Sequence, residues 1–307
     1  MKQLIGIDGG GTSTKATLYE YAPGGVGQAL RYAESGPSNL NSNSPEQVRA
    51  NLAELYAALN PEEAVAVGLG VAGITTPGVT EQLTQFLEEI GYPKVVVIVG
   101  DYESALRGAF DREPGVLLIA GTGSIAYGQA RDGRLHRAGG YGHLISDGGS
   151  AYSIGQALLS AYVKAYDGSI EKTALLQALE DQLGKTPQEA LDALMSLAYK
   201  LPFDKARIAA LARLQDAFLA KRDPLALKIA REGAEELRIL IDTVAKPLGE
   251  EKVELVLAGG MLLHNPEYRL VLEETLKQSD LEYEVTAPRA DAMAGAADLA
   301  REAYSAS

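Results

Sequence analysis

The sequence contains no cysteine and no tryptophan among its 307 residues. Without cysteine, disulfides, thiolate catalysis, cysteine-ligated zinc and iron–sulfur clusters are all excluded. Long apolar runs are missing as well, since none approaches the roughly 20 residues that a membrane-spanning helix needs. The N-terminus leads directly into a predicted strand and does not have the pattern of a signal peptide. We therefore expect a soluble, cytoplasmic protein with no membrane partner.

Positive charge is scarce relative to negative charge. The chain has 28 Lys and Arg residues against 41 Asp and Glu residues, which gives a net charge of −13 at pH 7. This balance argues against nucleic acid or an anionic membrane surface as a general partner. A phosphate site in such a chain must be built locally, from backbone N–H groups and a metal ion. The length is sufficient for two domains that each bury a core.

A glycine-rich turn between two predicted strands opens the chain. The first strand, at 4–8, ends on Asp8, and Gly9-Gly10-Gly11-Thr12 separates it from a returning strand at 13–18. The glycines allow backbone N–H groups to approach an anion, and the hydroxyl of Thr12 or Thr14 can join them. Asp8 suits Mg²⁺, which a carboxylate usually holds together with water and substrate phosphates. An ordinary hairpin is the alternative, because the spacing matches neither a Walker A loop nor a dinucleotide-binding turn.

The same arrangement occurs a second time later in the chain. Predicted strands at 115–120 and 125–129 flank Gly121-Thr122-Gly123-Ser124, and a third strand follows at 135–138. Each turn alone is typical of a simple hairpin. The repeat, however, favours two phosphate-binding turns that face each other across a cleft.

Alternating strands and helices elsewhere predict mixed sheets with helical crossovers. Helices dominate residues 151–247, including one continuous helix predicted at 204–221. The repeat places a domain boundary after residue 112. We predict one domain at 1–112, with the C-terminal helix 290–307 as a candidate addition, and a second, helix-rich domain at 113–289.

Three polar residues and one glycine pair are further candidates for a site. Asp101 follows a predicted strand and begins a helix, where an open α/β sheet places catalytic groups, and Asp147 precedes another helix. For both aspartates the alternative is an N-cap. Asn39 lies in a polar loop, where a turn is the alternative to recognition of a sugar hydroxyl. Gly259-Gly260 follows a late strand and either admits an adenine ring or simply connects strand to helix.

In this order, the motifs resemble those of the BadF/BadG/BcrA/BcrD ATPase family, and of its N-acetylglucosamine kinase branch in particular. The resemblance spans nearly the whole chain. It rests on Asp8-Gly9-Gly10-Gly11-Thr12, Gly36-Pro37-Ser38-Asn39, Gly100-Asp101, Gly121-Thr122-Gly123-Ser124, Gly139-Gly140-Tyr141-Gly142-His143, Asp147-Gly148-Gly149-Ser150-Ala151-Tyr152, Phe203-Asp204-Lys205 and Gly259-Gly260. It implies an α/β, two-domain actin-like ATPase (ribonuclease H-like) fold with duplicated mixed sheets and a helix-rich second domain.

The resemblance also implies roles for individual residues. Asp101 matches the base that accepts the proton of the attacking hydroxyl, and Asp8 is the predicted Mg²⁺ ligand. The predicted ATP site comprises Gly10, Gly11, Thr12, Thr122, Gly259 and Gly260. The positions that match sugar contacts are Asn39, Asp101, Ser124, Gly140, Tyr141, Gly142 and Asp147. The first domain would then carry the sugar and phosphate side, and the second the nucleotide-binding loops.

These roles predict an ATP- and Mg²⁺-dependent kinase that phosphorylates N-acetylglucosamine, at the 6-hydroxyl. Tyr141 and Gly148 depart from the family pattern, which has tryptophan and glutamate there, so the identity of the amino sugar stays open. Glucosamine kinase, N-acetylmuramic acid kinase and a non-catalytic sugar or nucleotide sensor are the alternatives. An electron-transferring activator is excluded because it needs cluster cysteines. The expected partners are a small-molecule amino sugar and a second copy of the chain in a homodimer.

Overall fold

The computed structural model of the chain describes residues 1–11, 13–74, 76–184, 186–201 and 203–307. The chain divides into two compact units, one comprising Met1–Glu113 with Ala287–Ser307 and the other Pro114–Thr286. Each unit is built on a five-stranded sheet. In the described part of the chain, no helix is both long enough and apolar enough to cross a membrane.

The first unit has a sheet with the strand order β3-β2-β1-β4-β5. Its strands are β1 (Gln3–Gly9), β2 (Thr14–Ala22), β3 (Gly25–Ser35), β4 (Ala64–Val71) and β5 (Val95–Gly100), and its first helices are α1 (Pro45–Leu59), α2 (Val79–Ile90) and α3 (Asp101–Phe110). The β1–β2 and β2–β3 pairs are antiparallel, whereas the β1–β4 and β4–β5 pairs are parallel. The carboxyl ends of β1, β4 and β5 therefore meet at one edge, where Asp8 and Asp101 lie.

The second unit repeats this pattern in the order β10-β9-β6-β7-β8. Its strands are β6 (Gly115–Ala120), β7 (Ser124–Gln129), β8 (Leu135–Gly139), β9 (Lys252–Ala258) and β10 (Glu282–Thr286). Here β6–β7 and β7–β8 are antiparallel, and β6–β9 and β9–β10 are parallel. The two sheets thus share one topology, which confirms the predicted duplication of mixed sheets.

Helices fill the long connection between β8 and β9 in the second unit. They are α4 (Ala151–Tyr166), α5 (Ala174–Leu183), α6 (Pro187–Tyr199), α7 (Lys205–Ala209), α8 (Ala212–Leu219) and α9 (Pro224–Ala245), followed after β9 by α10 (Gly260–Leu263) and α11 (Pro266–Leu276). Fully buried leucines such as Leu158, Leu176 and Leu237 belong to the core that these helices share with the sheet.

The last helix, α12 (Ala292–Ala306), returns to the first unit and packs directly on its sheet. The approach is so close that a Cβ atom on Gly6 would lie 1.9 Å from the Met293 carbonyl oxygen, and one on Gly68 would lie 1.9 Å from that of Ala296. Only glycine fits at these two strand positions. The N-terminus of α12, with Asp291 as its N-cap, is thereby held beside the sheet.

The largest differences from the sequence-based prediction concern one helix and one hairpin. The single helix predicted at 204–221 is wrong: α7 and α8 are separated near Leu211, whose N–H donates to the Ile208 carbonyl in a 3₁₀-type bond of 3.1 Å. The α7 backbone lies against Gly155 of α4, so tertiary packing overrides the local helical pattern. The β2–β3 hairpin is also longer than predicted, because β2 continues beyond residue 18 to Ala22.

Candidate active site

Two carboxylates lie together at the strand edge of the first unit. Asp8, near the end of β1, is opposite Lys15 on β2 and Gly70 on β4. Asp101 begins α3 directly after β5, and a Cβ atom on Gly70 would be 3.6 Å from the Asp101 Cα. Burial raises the pKa of Asp8, the negative charges of Asp101 and Asp291 raise it further, and Lys15 lowers it. The structure therefore brings together the predicted metal ligand and the predicted base.

Asp101 is the first residue of α3 and not its N-cap, so the N-cap interpretation of this residue is wrong. Gly100 occupies the cap position in extended conformation, and its N–H donates to the Glu103 carboxylate at 3.1 Å. The Asp101 carboxylate instead accepts a hydrogen bond from the Tyr102 N–H at 3.0 Å. Its place in the first helical turn favours the ionised form, because the positive end of the helix dipole lies there.

The acidic edge suits Mg²⁺ without forming a complete protein cage for it. Asp291, the third carboxylate near Asp8, accepts a hydrogen bond from the Ala294 N–H at 2.8 Å as the cap of α12. Among the described residues, no group of three or more His, Asp or Glu side chains is arranged to enclose a metal ion. Mg²⁺ usually takes one or two carboxylates and completes its shell with water and phosphate oxygens. Asp8, whose ionisation a cation would favour, fits that role.

The first glycine turn is internally bonded, and part of it is open to solvent. The Gly10 N–H donates to the Ser13 carbonyl at 3.0 Å, and the Gly10 carbonyl accepts from the Ser38 N–H at 3.1 Å. Gly11 is exposed, with no described atom beyond its chain neighbours within 4 Å of a Cβ position. Thr12, the predicted phosphate contact, lies outside the described residues. Gly11 is therefore the described residue of this turn that an anion can approach.

Asn39 lies in the loop after β3. It follows Ser38, whose N–H donates to the Gly10 carbonyl. Its side-chain oxygen accepts a hydrogen bond from the Asn41 N–H at 2.9 Å, and its carbonyl accepts one from the Asn43 amide at 2.9 Å. This is an Asx-turn, so Asn39 does shape its loop. A contact from Asn39 to a sugar stays a prediction.

The second glycine turn is attached to the N-terminus of α4. The carbonyl groups of Gly121 and Thr122 accept hydrogen bonds from the N–H groups of Ala151 (2.9 Å) and Tyr152 (3.3 Å). These bonds fix the turn beside a cavity of about 720 Å³ within the second unit. The cavity is lined by Gly121, Thr122, Ala151, Ala206, Ala209, Ala210, Ala212, Arg213, Asp216, Ala217, Gly260, Met261, His264 and Asn265.

The walls of this cavity fit a nucleoside. Its volume lies in the usual range for small-molecule sites, and its lining includes alanines of α7 and α8 together with Gly121 and Gly260. Small side chains and exposed backbone leave room for a flat, largely apolar ring system. The predicted residues Thr122 and Gly260 both line the cavity.

Gly259 and Gly260, predicted as one adenosine-binding pair, have different environments. Gly259 has a φ of 89°, and a Cβ atom there would lie 2.3 Å from the Ala120 carbonyl oxygen. Gly260 begins α10, and a Cβ atom there would contact only His264, at 3.6 Å. The backbone conformation and the contact with Ala120 therefore require glycine at position 259. Gly260 instead has open space beside it and lines the cavity.

Ser124 and Asp147, both predicted as sugar contacts, are hydrogen-bonded into one cluster. The Ser124 N–H donates to the Asp147 carboxylate at 3.4 Å, and the Ser124 hydroxyl donates to the Gly148 carbonyl at 2.7 Å. Asp147 is buried and has a φ of 66°. The N-cap interpretation of Asp147 is wrong, because the hydroxyl of Ser150 caps α4 by accepting from the Ser153 N–H.

Gly140, Tyr141 and Gly142, which were predicted to contact the sugar, form an exposed loop. Gly140 and Gly142 have φ values of 73° and 93°, and the Tyr141 side chain is largely exposed. Arg137 supports the loop: its guanidinium lies 4.8 Å from the centre of the Tyr141 ring and donates to the Gly140 carbonyl at 2.9 Å. His143 stacks on Phe203 with ring centres 5.3 Å apart, which agrees with a structural role for this histidine.

Sequence reasoning missed Asp291, Arg137 and the alanine wall of the cavity. Asp291 had a usable signal, since it stands at the start of a predicted helix, as Asp101 does. Arg137 and the alanines have no local signal, because only tertiary packing places them beside a loop or a cavity.

Comparison with known proteins agrees with these observations. Residues 5–300 match the BadF/BadG/BcrA/BcrD ATPase family. The chain is 33% identical to an N-acetylmuramic acid/N-acetylglucosamine kinase of Clostridium acetobutylicum, over 98% of this chain and 99% of the relative. It is 32% identical to an N-acetyl-D-glucosamine kinase of Dictyostelium discoideum, over 91% of this chain and 90% of the relative.

A solved structure provides a third comparison. The crystal structure described as a putative N-acetylglucosamine kinase from Chromobacterium violaceum superimposes with a TM-score of 0.73 at 26% identity, covering 99% of each chain. The predicted two-domain actin-like ATPase fold is thus confirmed. Since the family match extends over nearly the whole sequence, the chain belongs to the BadF/BadG/BcrA/BcrD ATPase family.

Proposed function

We propose that this protein transfers the γ-phosphoryl group of ATP to N-acetylglucosamine, at the 6-hydroxyl. Its broad class, an ATP-dependent carbohydrate kinase, follows from the family and from the activities named for its relatives. The observation that carries the proposal is the adjacency of Asp8 and Asp101 at the strand edge of the first unit. One carboxylate suits a metal ion, and the other lies at a helix N-terminus, where the helix dipole favours its ionised form.

Asp101 is the proposed general base. Phosphoryl transfer passes through a loose transition state, so the protein mainly positions groups and stabilises charge. As the sugar oxygen bonds to the γ-phosphorus, the bond from that phosphorus to the β,γ-bridging oxygen breaks and ADP leaves. The proton of the sugar hydroxyl moves to the Asp101 carboxylate. The N-terminus of α3 favours the ionised form of that carboxylate, and the Tyr102 N–H fixes its orientation.

The proposed nucleotide contacts are divided between the glycine turns and the cavity. ATP supplies the phosphoryl group, and Mg²⁺ would offset the charge of its phosphates. Asp8 would hold that ion. Gly11 and Thr12 in one turn and Thr122 in the other would contact phosphate oxygens, and Gly260 would border the adenosine. Gly10 would support the first turn through its backbone hydrogen bonds. Gly259 supports Gly260 by holding the backbone against Ala120.

The proposed sugar contacts are residues with hydroxyl, carboxylate or backbone groups. Asn39 and Asp101 belong to the first unit, and Ser124, Gly140, Tyr141, Gly142 and Asp147 belong to the second. In the second unit, the Asp147 carboxylate accepts a hydrogen bond from the Ser124 N–H, and the Ser124 hydroxyl donates to the Gly148 carbonyl. Such fixed polar groups can select sugar hydroxyls strongly, because an unsuitable ligand would leave them without partners.

The proposal is tested by ADP release in a coupled assay with glucose, glucosamine, N-acetylglucosamine and N-acetylmuramic acid. We expect the highest kcat/KM with N-acetylglucosamine. N-Acetylmuramic acid is the second candidate, because a relative that is 33% identical is named for both sugars. A sensor without catalytic activity would bind a sugar and release no ADP with any of the four, and that result would overturn the proposal.

A further inference from the structure

Glu236 of α9 lies directly over the loop that contains Asp147 and Gly148. A Cβ atom on Gly148 would be 2.9 Å from both the Cβ and the Oε2 atoms of Glu236. The Cβ atom of Glu236 takes part in this contact as well as its carboxylate. The position of α9 therefore determines how close Glu236 is to Gly148. The absence of a side chain at position 148 is what admits Glu236.

The same face of α9 supports both loops that we assign to the sugar. Leu237 lies against Gly149, and Leu240 lies 3.1 Å from a Cβ position on Gly139. Glu236 and Leu240 are four residues apart and therefore share one face of the helix. The carboxylate of Glu236 thus lies against the 147–149 loop, on the helix face whose next turn contacts Gly139.

The charge of Glu236 has no compensating partner within the described chain. No hydrogen bond or ion pair joins it to another described residue, whereas Glu235 pairs with Arg238 and Glu232 lies 4.0 Å from Lys228. Arg137, the cation that supports the 139–142 loop, is bonded to the carbonyl groups of Gly139 and Gly140. A ligand held at the 147–149 loop therefore meets an exposed negative charge.

We propose that Glu236 determines specificity among amino sugars by their charge. This inference rests on the proposed function, because it places the sugar at the loops around Asp147. The carboxylate accepts hydrogen bonds from sugar hydroxyls or from an ammonium group, and it repels a sugar that carries a carboxylate. N-Acetylmuramic acid, which has a lactyl carboxylate, is therefore disfavoured relative to N-acetylglucosamine, and glucosamine in its ammonium form is favoured.

The test compares kcat/KM for these three sugars in the wild type, in Glu236→Gln and in Glu232→Gln. The glutamine variant keeps the shape of the side chain and removes its charge. The Glu236 carboxylate and the carboxylate of a bound N-acetylmuramic acid would be several ångströms apart in partly solvated surroundings. In Glu236→Gln we therefore expect the kcat/KM for N-acetylmuramic acid, relative to that for N-acetylglucosamine, to rise about 3- to 30-fold. The kcat/KM for glucosamine, relative to that for N-acetylglucosamine, should fall. Glu232→Gln makes the same charge change one turn earlier on α9 and should leave both ratios within about twofold.

A second measurement needs no variant. Raising the salt concentration from about 0.05 to about 0.5 M screens exposed charges, so wild-type discrimination against N-acetylmuramic acid should weaken. If turnover is normal but neither Glu236→Gln nor salt changes the ratios, Glu236 does not select the sugar and the proposed function stands. If the wild type phosphorylates none of the three sugars, the proposed function fails, and the role of Glu236 fails with it.

Discussion

The negative charge of Asp101 raises the pKa of Asp8 at the strand edge of the first unit. Burial of Asp8 is the larger cause, and Lys15 acts in the opposite direction. Two like charges therefore oppose each other where the parallel strands β1, β4 and β5 end. A divalent cation would relieve this repulsion, which links the stability of the edge to its proposed function.

The first prediction concerns Asp8→Asn. Because the pKa of Asp8 is raised in the folded chain, the folded state binds the proton more tightly than the unfolded state, and stability is lost as pH rises through that pKa. Removing the charge should raise the melting temperature at pH 7 by about 1–3 °C. The same change should slow Mg²⁺-dependent transfer by about 100-fold or more. Thermal melts between pH 4 and pH 7.5 and a Mg²⁺ titration measure both effects.

Asp132→Asn is the control for this prediction. Hydrogen bonds from Arg134 lower the pKa of Asp132, so neutralising it should not raise the melting temperature. A normal turnover of Asp8→Asn across the Mg²⁺ titration would show that Asp8 does not face the metal.

The second prediction concerns Asp101→Asn. Asparagine can accept the same hydrogen bond from the Tyr102 N–H, so the fold should be kept. It cannot take up the proton of the attacking hydroxyl, and kcat should fall about 10²–10⁴-fold with little change in ATP affinity. Steady-state kinetics, nucleotide binding and a melting curve measure the three quantities.

Glu81→Gln provides a matched control, since Glu81 is an acidic residue in the first turn of α2 in the same unit. It should leave kcat unchanged. A near-normal kcat for Asp101→Asn would contradict its assignment as the base and make Asp147 the next candidate.

The third prediction separates the neighbouring glycines of the second unit. Gly260→Ala adds a methyl group in ordinary contact with His264, so it should fold normally and raise the KM for ATP roughly 10-fold by narrowing the cavity. Gly259→Ala forces a positive φ on alanine and a clash with Ala120, and it should destabilise the fold by about 2 kcal/mol or more.

Melting curves and ATP-dependent kinetics of the two variants distinguish these effects. Gly24→Ala is a suitable control, because its Cβ position is open. An unchanged KM for ATP in a folded Gly260→Ala protein would show that the nucleoside binds elsewhere.

The fourth prediction concerns Ser124→Ala. The variant loses the hydrogen bond to the Gly148 carbonyl, which costs about 0.5–1.5 kcal/mol and loosens the loop that carries Asp147. The KM for the sugar should rise about 3- to 30-fold, while the KM for ATP stays the same. Ser153→Ala removes a comparable hydroxyl-to-carbonyl bond, to Ser150, and should leave both constants unchanged. Equal effects of the two variants on sugar KM would argue against a specific role for Ser124.

The repeated sheets could be predicted from the sequence because their signals are local. Buried strands that end at glycine turns, such as Gly9-Gly10-Gly11 and Gly121-Thr122-Gly123, indicate hairpins without knowledge of the rest of the chain. The likeness between the two segments then predicts one topology used twice. Asp8 and Asp101 were found in the same way, since both stand where a predicted strand ends.

The remaining features depend on contacts between distant segments. Asp291 lies near Asp8 only because Gly6 and Gly68 admit α12 onto the sheet. Glu236 approaches the Asp147 loop only because Gly148 leaves space for it. Asp147 itself had the local pattern of a helix cap, and its left-handed backbone conformation gave no separate signal in the sequence. Tertiary packing determines these relationships, and one sequence does not encode them locally.

The most direct test of the central claim is the ³¹P NMR spectrum of the product formed from ATP, Mg²⁺ and N-acetylglucosamine. Transfer to the 6-hydroxyl gives a phosphomonoester whose signal is split into a triplet by two methylene protons, and 6-deoxy-N-acetylglucosamine should give no phosphorylated sugar. A doublet would place the phosphate on a ring hydroxyl and contradict the proposed position. Formation of ADP and inorganic phosphate without any sugar phosphate would contradict the kinase itself.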